Sequence, residues 1–368
     1  MAKRKKSQKS SSGNKCKKPN TGAATADQAT SASSPANQQL NSKFMQLPQE
    51  IRDEIYANVF RSTRLAFGER YLGRSDGMRV LSSARGTMLA LLRTCRRVKD
   101  EIGVSWLRQM LFQFEDPMSL MGKLTEMPIA VRKQIRHVRV LRHIMMVWGD
   151  GGDRYYNAAQ YLKLLPGLEL DTLTIMDDYP DITSYEDLGV VIHYGDGWKE
   201  LHYMSRTSGL LGFDDYVRQP QPSDWQNTLE QHDGQASHPS VLIYRATNNA
   251  APGDVLHSVT REVLTQDTET FSEGEDTSLT GPGGFEKELL VVVKRGAGVY
   301  YAVKEGSPYL PIGDIRVDHP GKTWEGIKAR NDRYFQAERD DEDAFGDDGI
   351  VDTYSHVDEF TWPSLRVW

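Results

Sequence analysis

One apolar phrase recurs through the middle of this chain: I135-x-x-V138-x-V140, L170-x-x-L173-x-I175 and W198-x-x-L201-x-Y203, with V241-x-I243 repeating its second half. Apolar residues at alternate positions mark short strands with one buried face. The stretches Tyr155–Leu165 and Tyr185–His193 carry helical spacing instead. Strands alternating with helices point to a parallel sheet. Starts at 135, 170, 198 and about 238 give uneven steps of 35, 28 and 40 residues. The expected fold class is therefore α/β, built either as an irregular leucine-rich-repeat-like arc or as an open parallel α/β sheet. Its predicted core comprises Val138, Val140, Leu173, Ile175, Leu201, Tyr203, Val241, Ile243, Val291 and Val293.

The last two belong to K-E-L-L-V-V-V-K-R-G-A-G-V-Y-Y-A-V, which predicts two strands around a turn at Arg295–Gly298. Five consecutive apolar residues, Leu289–Val293, imply a strand covered on both faces and therefore paired into the sheet.

Ahead of the repeat lies F44-M-Q-L-P-Q-E-I-R-D-E-I-Y-A-N-V-F60. Pro48 suits a first helical turn, where its missing N–H is not needed. At 100° per residue Leu47, Ile51, Ile55 and Val59 form one stripe, and Tyr56 and Phe60 widen it. Apolar side chains cover well over half the circumference, more than packing on one core requires. A second helix is expected from Thr87 through Met88, Leu91, Leu92, Cys95, Val98 and Ile102, with Cys95 on its buried stripe and Gly103 as its weak point. L-F-Q-F, 111–114, then reads as a strand.

Residues 1–40 hold almost no large apolar side chain and are expected to be disordered. Lys3, Arg4, Lys5 and Lys6, with Lys15, Lys17 and Lys18, resemble the halves of a bipartite nuclear import signal; the alternative is a solubilising basic tail. With Lys9 the first twenty residues carry eight cations and no acid, so a net charge of −6 leaves −14 on the rest. Such a body is a poor nucleic-acid ligand, and only the tail could touch phosphate weakly. Two cysteines, Cys16 and Cys95, form no disulfide framework or C-x-x-C motif. No apolar run reaches the ~18 residues that a membrane span needs. An intracellular protein, nuclear and/or cytoplasmic, is expected. It divides into a basic tail (1–40), a helical module (41–114), an α/β repeat-like interaction domain (115–335) and an acidic tail (336–368), whose E-R-D-D-E-D-A-F-G-D-D run should stay solvated.

Motifs that carry chemistry are sparse. Asp177, Asp178 and Asp181 form D-D-x-x-D, but Pro180 makes the segment read as a turn. G195-D-G197 has Glu200 where a dinucleotide fingerprint needs a third glycine. His137 and His143 flank a strand, His202 faces away from Leu201 and Tyr203, and no histidine pair has metal-ligand spacing. No catalytic residue, metal or cofactor is expected.

The phrases L47-P-Q-E-I-R52-D-E-I-Y56, L91-L-R-T-C-R-R-V-K-D-E101 and F112-Q-F114 resemble those of the fungal F-box-like domain-containing proteins, in particular the ascomycete group with an L-P-x-E-I-R opening helix. L164-L-P-G-L-x-L-D-T-L-T-I175, G195-D-G-W-K-E-L-H-Y203 and V291-V-V-K-R-G296 extend the likeness to about residue 330. A typical F-box has a short connection where this chain has Arg61 to Gly86. The resemblance implies a module that docks on a Skp-type adaptor of a cullin ubiquitin ligase through Phe44, Leu47, Pro48, Ile51, Ile55 and Tyr56, while the rest of the chain binds an unknown protein substrate. An interaction scaffold with a purely structural module, and an unrecognised enzyme, are the alternative readings.

Overall fold

The computed structural model describes residues 42–70, 79–80, 90–149, 152–177, 183–213, 216–217, 223–247, 253–264, 287–311 and 313–331. The basic clusters, Thr87 and the acidic run lie outside the described residues. The chain divides into two compact units, 1–48 and 49–368. In the first, 42–47 form a turn in which the Gln46 N–H donates to Ser42 O at 3.1 Å.

The second unit opens with α1 (Gln49–Arg61), carrying Glu50 in its first turn and Arg61 in its last, as the helix dipole favours. The Ser62 and Thr63 hydroxyls both donate to Val59 O and finish the helix. The chain continues through β1 (Arg64–Phe67), β2 (Glu69–Arg70), β3 (Arg79–Val80), α2 (Leu91–Thr94), α3 (Arg96–Ile102), β4 (Leu111–Phe114), α4 (Pro117–Thr125) and α5 (Ile129–Arg132). After β5 (His137–Leu141) come the hairpin β6 (Ile144–Gly149) and β7 (Gly152–Asn157), α6 (Ala158–Tyr161), β8 (Leu170–Asp177), α7 (Ser184–Tyr194) and β9 (Trp198–Ser205). β10 (Gly212–Phe213), β11 (Tyr216–Val217), α8 (Ser223–Asp233), β12 (Ser240–Ala246), β13 (Arg261–Leu264), β14 (Leu289–Lys294), α9 (Ile315–Asp318) and α10 (324–331) complete it.

Eight strands form one sheet in the order β1-β4-β5-β8-β9-β14-β12-β13. The first four pairings are parallel and the last three antiparallel, so six strands point one way and β13 and β14 oppose them. The fold is thus mixed α/β around a large, mostly parallel sheet. All four strands of the apolar phrase lie in this sheet, and β14 sits between β9 and β12 with Leu289–Val293 buried. Registers align the ten predicted core residues on one face, and all ten are buried. α4 lies over that face at its β1 end, where the Lys123 ammonium stands 6.0 Å from the Phe67 ring. α7 and α8 join through Tyr185 and Trp225, whose rings are 4.8 Å apart. Arg132 donates from its buried guanidinium to the carbonyls of Leu124 and Met127, covering the open C-terminus of α4.

The structure differs from the sequence expectations in four places. The second helix breaks at Cys95, which is extended (φ −159°), half-buried, and caps α3 by accepting from the Val98 N–H at 3.5 Å. Gly103 does end α3, at φ +54°, a conformation costly for a side-chain-bearing residue. The expected helix Tyr155–Leu165 is split, since Tyr155–Asn157 belong to the β6–β7 hairpin and only Ala158–Tyr161 are α-helical. Residues 299–303 form no second strand, because β9 and β12 already occupy both edges of β14. They run past the strand starts instead, and Val303 exchanges backbone bonds with Gly167 and Leu168. Finally, the boundary expected at 114 falls between neighbouring strands. β1 and β4 of the supposed helical module pair with each other, and β4 pairs with β5. The long Arg61–Gly86 connection exists in part to supply β1.

Candidate functional site

Three features carry the chemistry of this surface and interior, beginning with α1. Its buried residues are Arg52, Tyr56 and Phe60, whereas Ile51 is 45% exposed, Val59 37% exposed and Ile55 half-buried. The expected apolar stripe is thus turned outward. In the first unit Phe44 and Leu47 are half-buried and Pro48 is exposed. Tyr56 corrects its assignment as a partner contact: it is buried, and its hydroxyl donates to Glu101 Oε2 at 3.0 Å.

Glu101 lies at the centre of a clasp. Arg52 grips it with two bonds, Nε to Oε2 at 3.0 Å and a terminal nitrogen to Oε1 at 2.7 Å, and Arg97 adds a third at 2.9 Å. The segments E-I-R-D-E-I-Y, 50–56, and V-K-D-E, 98–101, therefore hold α1 against α3. Arg52, followed by desolvation acting the other way and then Arg97 and Tyr56, lowers the Glu101 pKa to about 2 from an ordinary 4.5. A depressed folded-state pKa contributes stability that is complete above 4.5 and lost as pH falls toward 2. Glu101→Gln is accordingly expected to be less stable than wild type at pH 7, with the gap in urea midpoint closing between about pH 4.5 and pH 2. A gap that stays constant across that window would show that the clasp contributes no ionic stabilisation.

At the C-terminal ends of the parallel strands, where open α/β sheets commonly place ligands, polar side chains converge. His143 Nδ1 lies 3.3 Å from Asp177 Oδ1, and His143 Nε2 lies 3.4 Å from Ser184 Oγ and 3.6 Å from Asp187 Oδ2. The Tyr203 hydroxyl donates to Asp177 Oδ2 at 2.8 Å, and Asn157 Nδ2 to Asp187 Oδ1 at 2.9 Å. Burial first, then the Asp177 carboxylate, pushes the Tyr203 phenol well above its ordinary pKa, which keeps it a neutral donor. Although Ser, His and Asp stand in relay order, Ser184 is 0% exposed, so its hydroxyl meets no solvent-borne electrophile in this state. The cluster ties the start of α7 to β8, β9 and the β5–β6 corner. Asp177, the first residue of D-D-x-x-D, is committed to this cluster, and Asp178 and Asp181 lie outside the described residues. Among the described residues no group of three His, Cys, Asp or Glu is placed to hold a metal.

The third feature is a polar row on the other sheet face. Gln113, Arg139, Thr174 and His202 are register partners on β4, β5, β8 and β9. His137, Thr172, Glu200 and Lys294 form a second row nearer the strand starts. Alternation with Leu201 and Tyr203 puts His202 on this face, and only the registers assemble the row. The signal was present in the intervening positions of the apolar phrase on β5, β8 and β9, which hold Arg139, Thr174 and His202.

Compared with protein-family models, curated proteins and solved structures, the chain matches none at a significant level. The fold and these sites define a mixed α/β protein in which α1 exposes Ile51 and Val59. Among the described residues no helix is long and apolar enough to cross a membrane.

Proposed function

We propose that the chain is a protein-protein interaction subunit that presents a bound protein substrate to a Skp/cullin-type ubiquitin ligase, with α1 as its adaptor-docking element. The observation that carries this reading is the outward stripe of Ile51, Ile55 and Val59 on a helix whose other side is closed by its own chain. Anchors at i, i+4 and i+8 suit docking of one helix face into an apolar groove. A second reading, an interaction scaffold with structural F-box-like helices, is favoured by a clasp that is complete within the chain and by β1, which ties the segment after α1 into the sheet. Nuclear import through Lys3–Lys6 and Lys15–Lys18 belongs to the same proposal.

One tagged preparation from the native organism tests both readings. Wild type is expected to co-purify with the adaptor and to accumulate in the nucleus. Ile51→Glu with Val59→Glu should weaken adaptor binding more than tenfold, since losing a buried apolar anchor costs about 2–5 kcal/mol and 1.4 kcal/mol is a factor of ten. The unfolding midpoint should hardly move. Absence of wild-type binding at tens of micromolar would leave the scaffold reading.

A further inference from the structure

Residues 304–311 cross the surface without joining a helix or strand. Lys304, Glu305, Gly306, Pro308, Tyr309 and Pro311 are exposed, while Ser307 and Leu310 are half-buried. Gly306 turns the chain at φ +68° with open space around it. Pro308 then favours extended backbone at Ser307. Ser307 therefore stands on an exposed, extended strip and is followed by proline, the form in which a proline-directed protein kinase takes its substrate.

A cation is already in place at its hydroxyl. Arg316 Nη1 donates to Ser307 Oγ at 3.1 Å and to Ser307 O at 2.7 Å, and Nη2 donates to Pro308 O at 2.7 Å. Asp314 fixes the guanidinium from behind, accepting from Nε at 3.0 Å and from Nη2 at 2.7 Å, and the Tyr309 ring centre lies 4.9 Å from Cζ. The Asp314 side chain is fully buried and also accepts from the Leu310 N–H. A planar guanidinium held in advance loses little further freedom when it captures a phosphate.

We propose that Ser307 is a phosphorylation site for a proline-directed kinase, with Arg316 as the receiver of the phosphate. Ser307 Oγ attacks the γ-phosphorus of ATP; the new Oγ–P bond replaces the bond to the oxygen that leaves with ADP, and the hydroxyl proton passes to the kinase's base. The Nη1 bond now made to the hydroxyl moves to a phosphate oxygen, setting about two negative charges against the guanidinium. Lys304, whose carbonyl accepts from the Ser307 N–H, supplies a second cation; the acids nearby are Glu305 and Asp314, and Asp314 is already paired. Ser-Pro occurs once more in the sequence, at Ser34, outside the described residues.

The test incubates the purified full chain with ATP and a cyclin-dependent protein kinase and maps phosphopeptides by tandem mass spectrometry. Phosphate is expected on Ser307 in most molecules, and Ser307→Ala should lose that phosphopeptide alone. Phosphorus NMR of the chain carrying Ser34→Ala reads the receiver: its phosphoserine should titrate at least ~0.5 pH unit below that of a synthetic phosphopeptide of residues 303–311, because a guanidinium in contact favours the dianion. Absence of phosphate from Ser307 of the folded chain would overturn the site, whether or not Ser34 accepts one. Equal titration in chain and peptide would overturn the role of Arg316.

Discussion

A chain carrying Val291→Asp is expected to lose its cooperative unfolding transition, whereas one carrying Val263→Asp keeps it. Val291 is fully buried in β14, between Tyr203 of β9 and Ile243 of β12. A carboxylate placed there has no water and no cationic partner among its register neighbours. The effective penalty for burying an unpaired ion is several kcal/mol, against a total stability of about 5–15 kcal/mol for a domain. Val263 lies on the edge strand β13 and is 48% exposed, so the same change there should stay within about 0.5 kcal/mol. Circular dichroism during thermal unfolding distinguishes the two. A cooperative transition in Val291→Asp near the wild-type midpoint would contradict the central position of β14.

Tyr203→Phe should cost about 1.5–3 kcal/mol, the range for a hydrogen bond to a charged group. The change removes one oxygen and leaves the ring packing in place. The lost donor serves the buried Asp177 carboxylate at 2.8 Å. Tyr301→Phe is the matched control. Its hydroxyl donates at 3.3 Å to Asp171, whose side chain is about half exposed, so water can replace it. Urea midpoints of the two variants should differ clearly, and equal midpoints would mean that the Asp177 cluster does not hold α7 in place.

Much of the sheet was legible in the sequence because alternation of apolar residues is a local signal. Val138 and Val140, Leu173 and Ile175, Leu201 and Tyr203 each announced a strand and its inner face without reference to any neighbour. The apolar run of β14 announced burial on both sides for the same reason. Its location between β9 and β12 did not follow, because strand order depends on contacts between segments some ninety residues apart. The second strand expected after Gly298 failed on that same point: a turn signal is local, but a free sheet edge is a property of the whole fold.

The outward stripe of α1 was readable as a breadth of apolar arc, and helical spacing alone could not say which part turned inward. Arg52 and Tyr56 turn inward because Glu101, forty-nine positions beyond Arg52, waits there with two carboxylate oxygens. The polar row and the Asp177 cluster were equally hidden. Their members sit singly in the sequence, as His143, Asp177, Ser184 and Tyr203 or as Gln113, Arg139, Thr174 and His202; strand register assembles the row, and the packing of α7 and the β5–β6 corner on the sheet assembles the cluster. Sequence by itself determined the strands of the apolar phrase and β14, the inner faces of those strands and the charge contrast between the first twenty residues and the rest, since these depend on side-chain chemistry at short spacing. Tertiary structure alone decided strand order, the direction α1 faces and which polar groups meet, because each depends on the closure of long loops around a shared core.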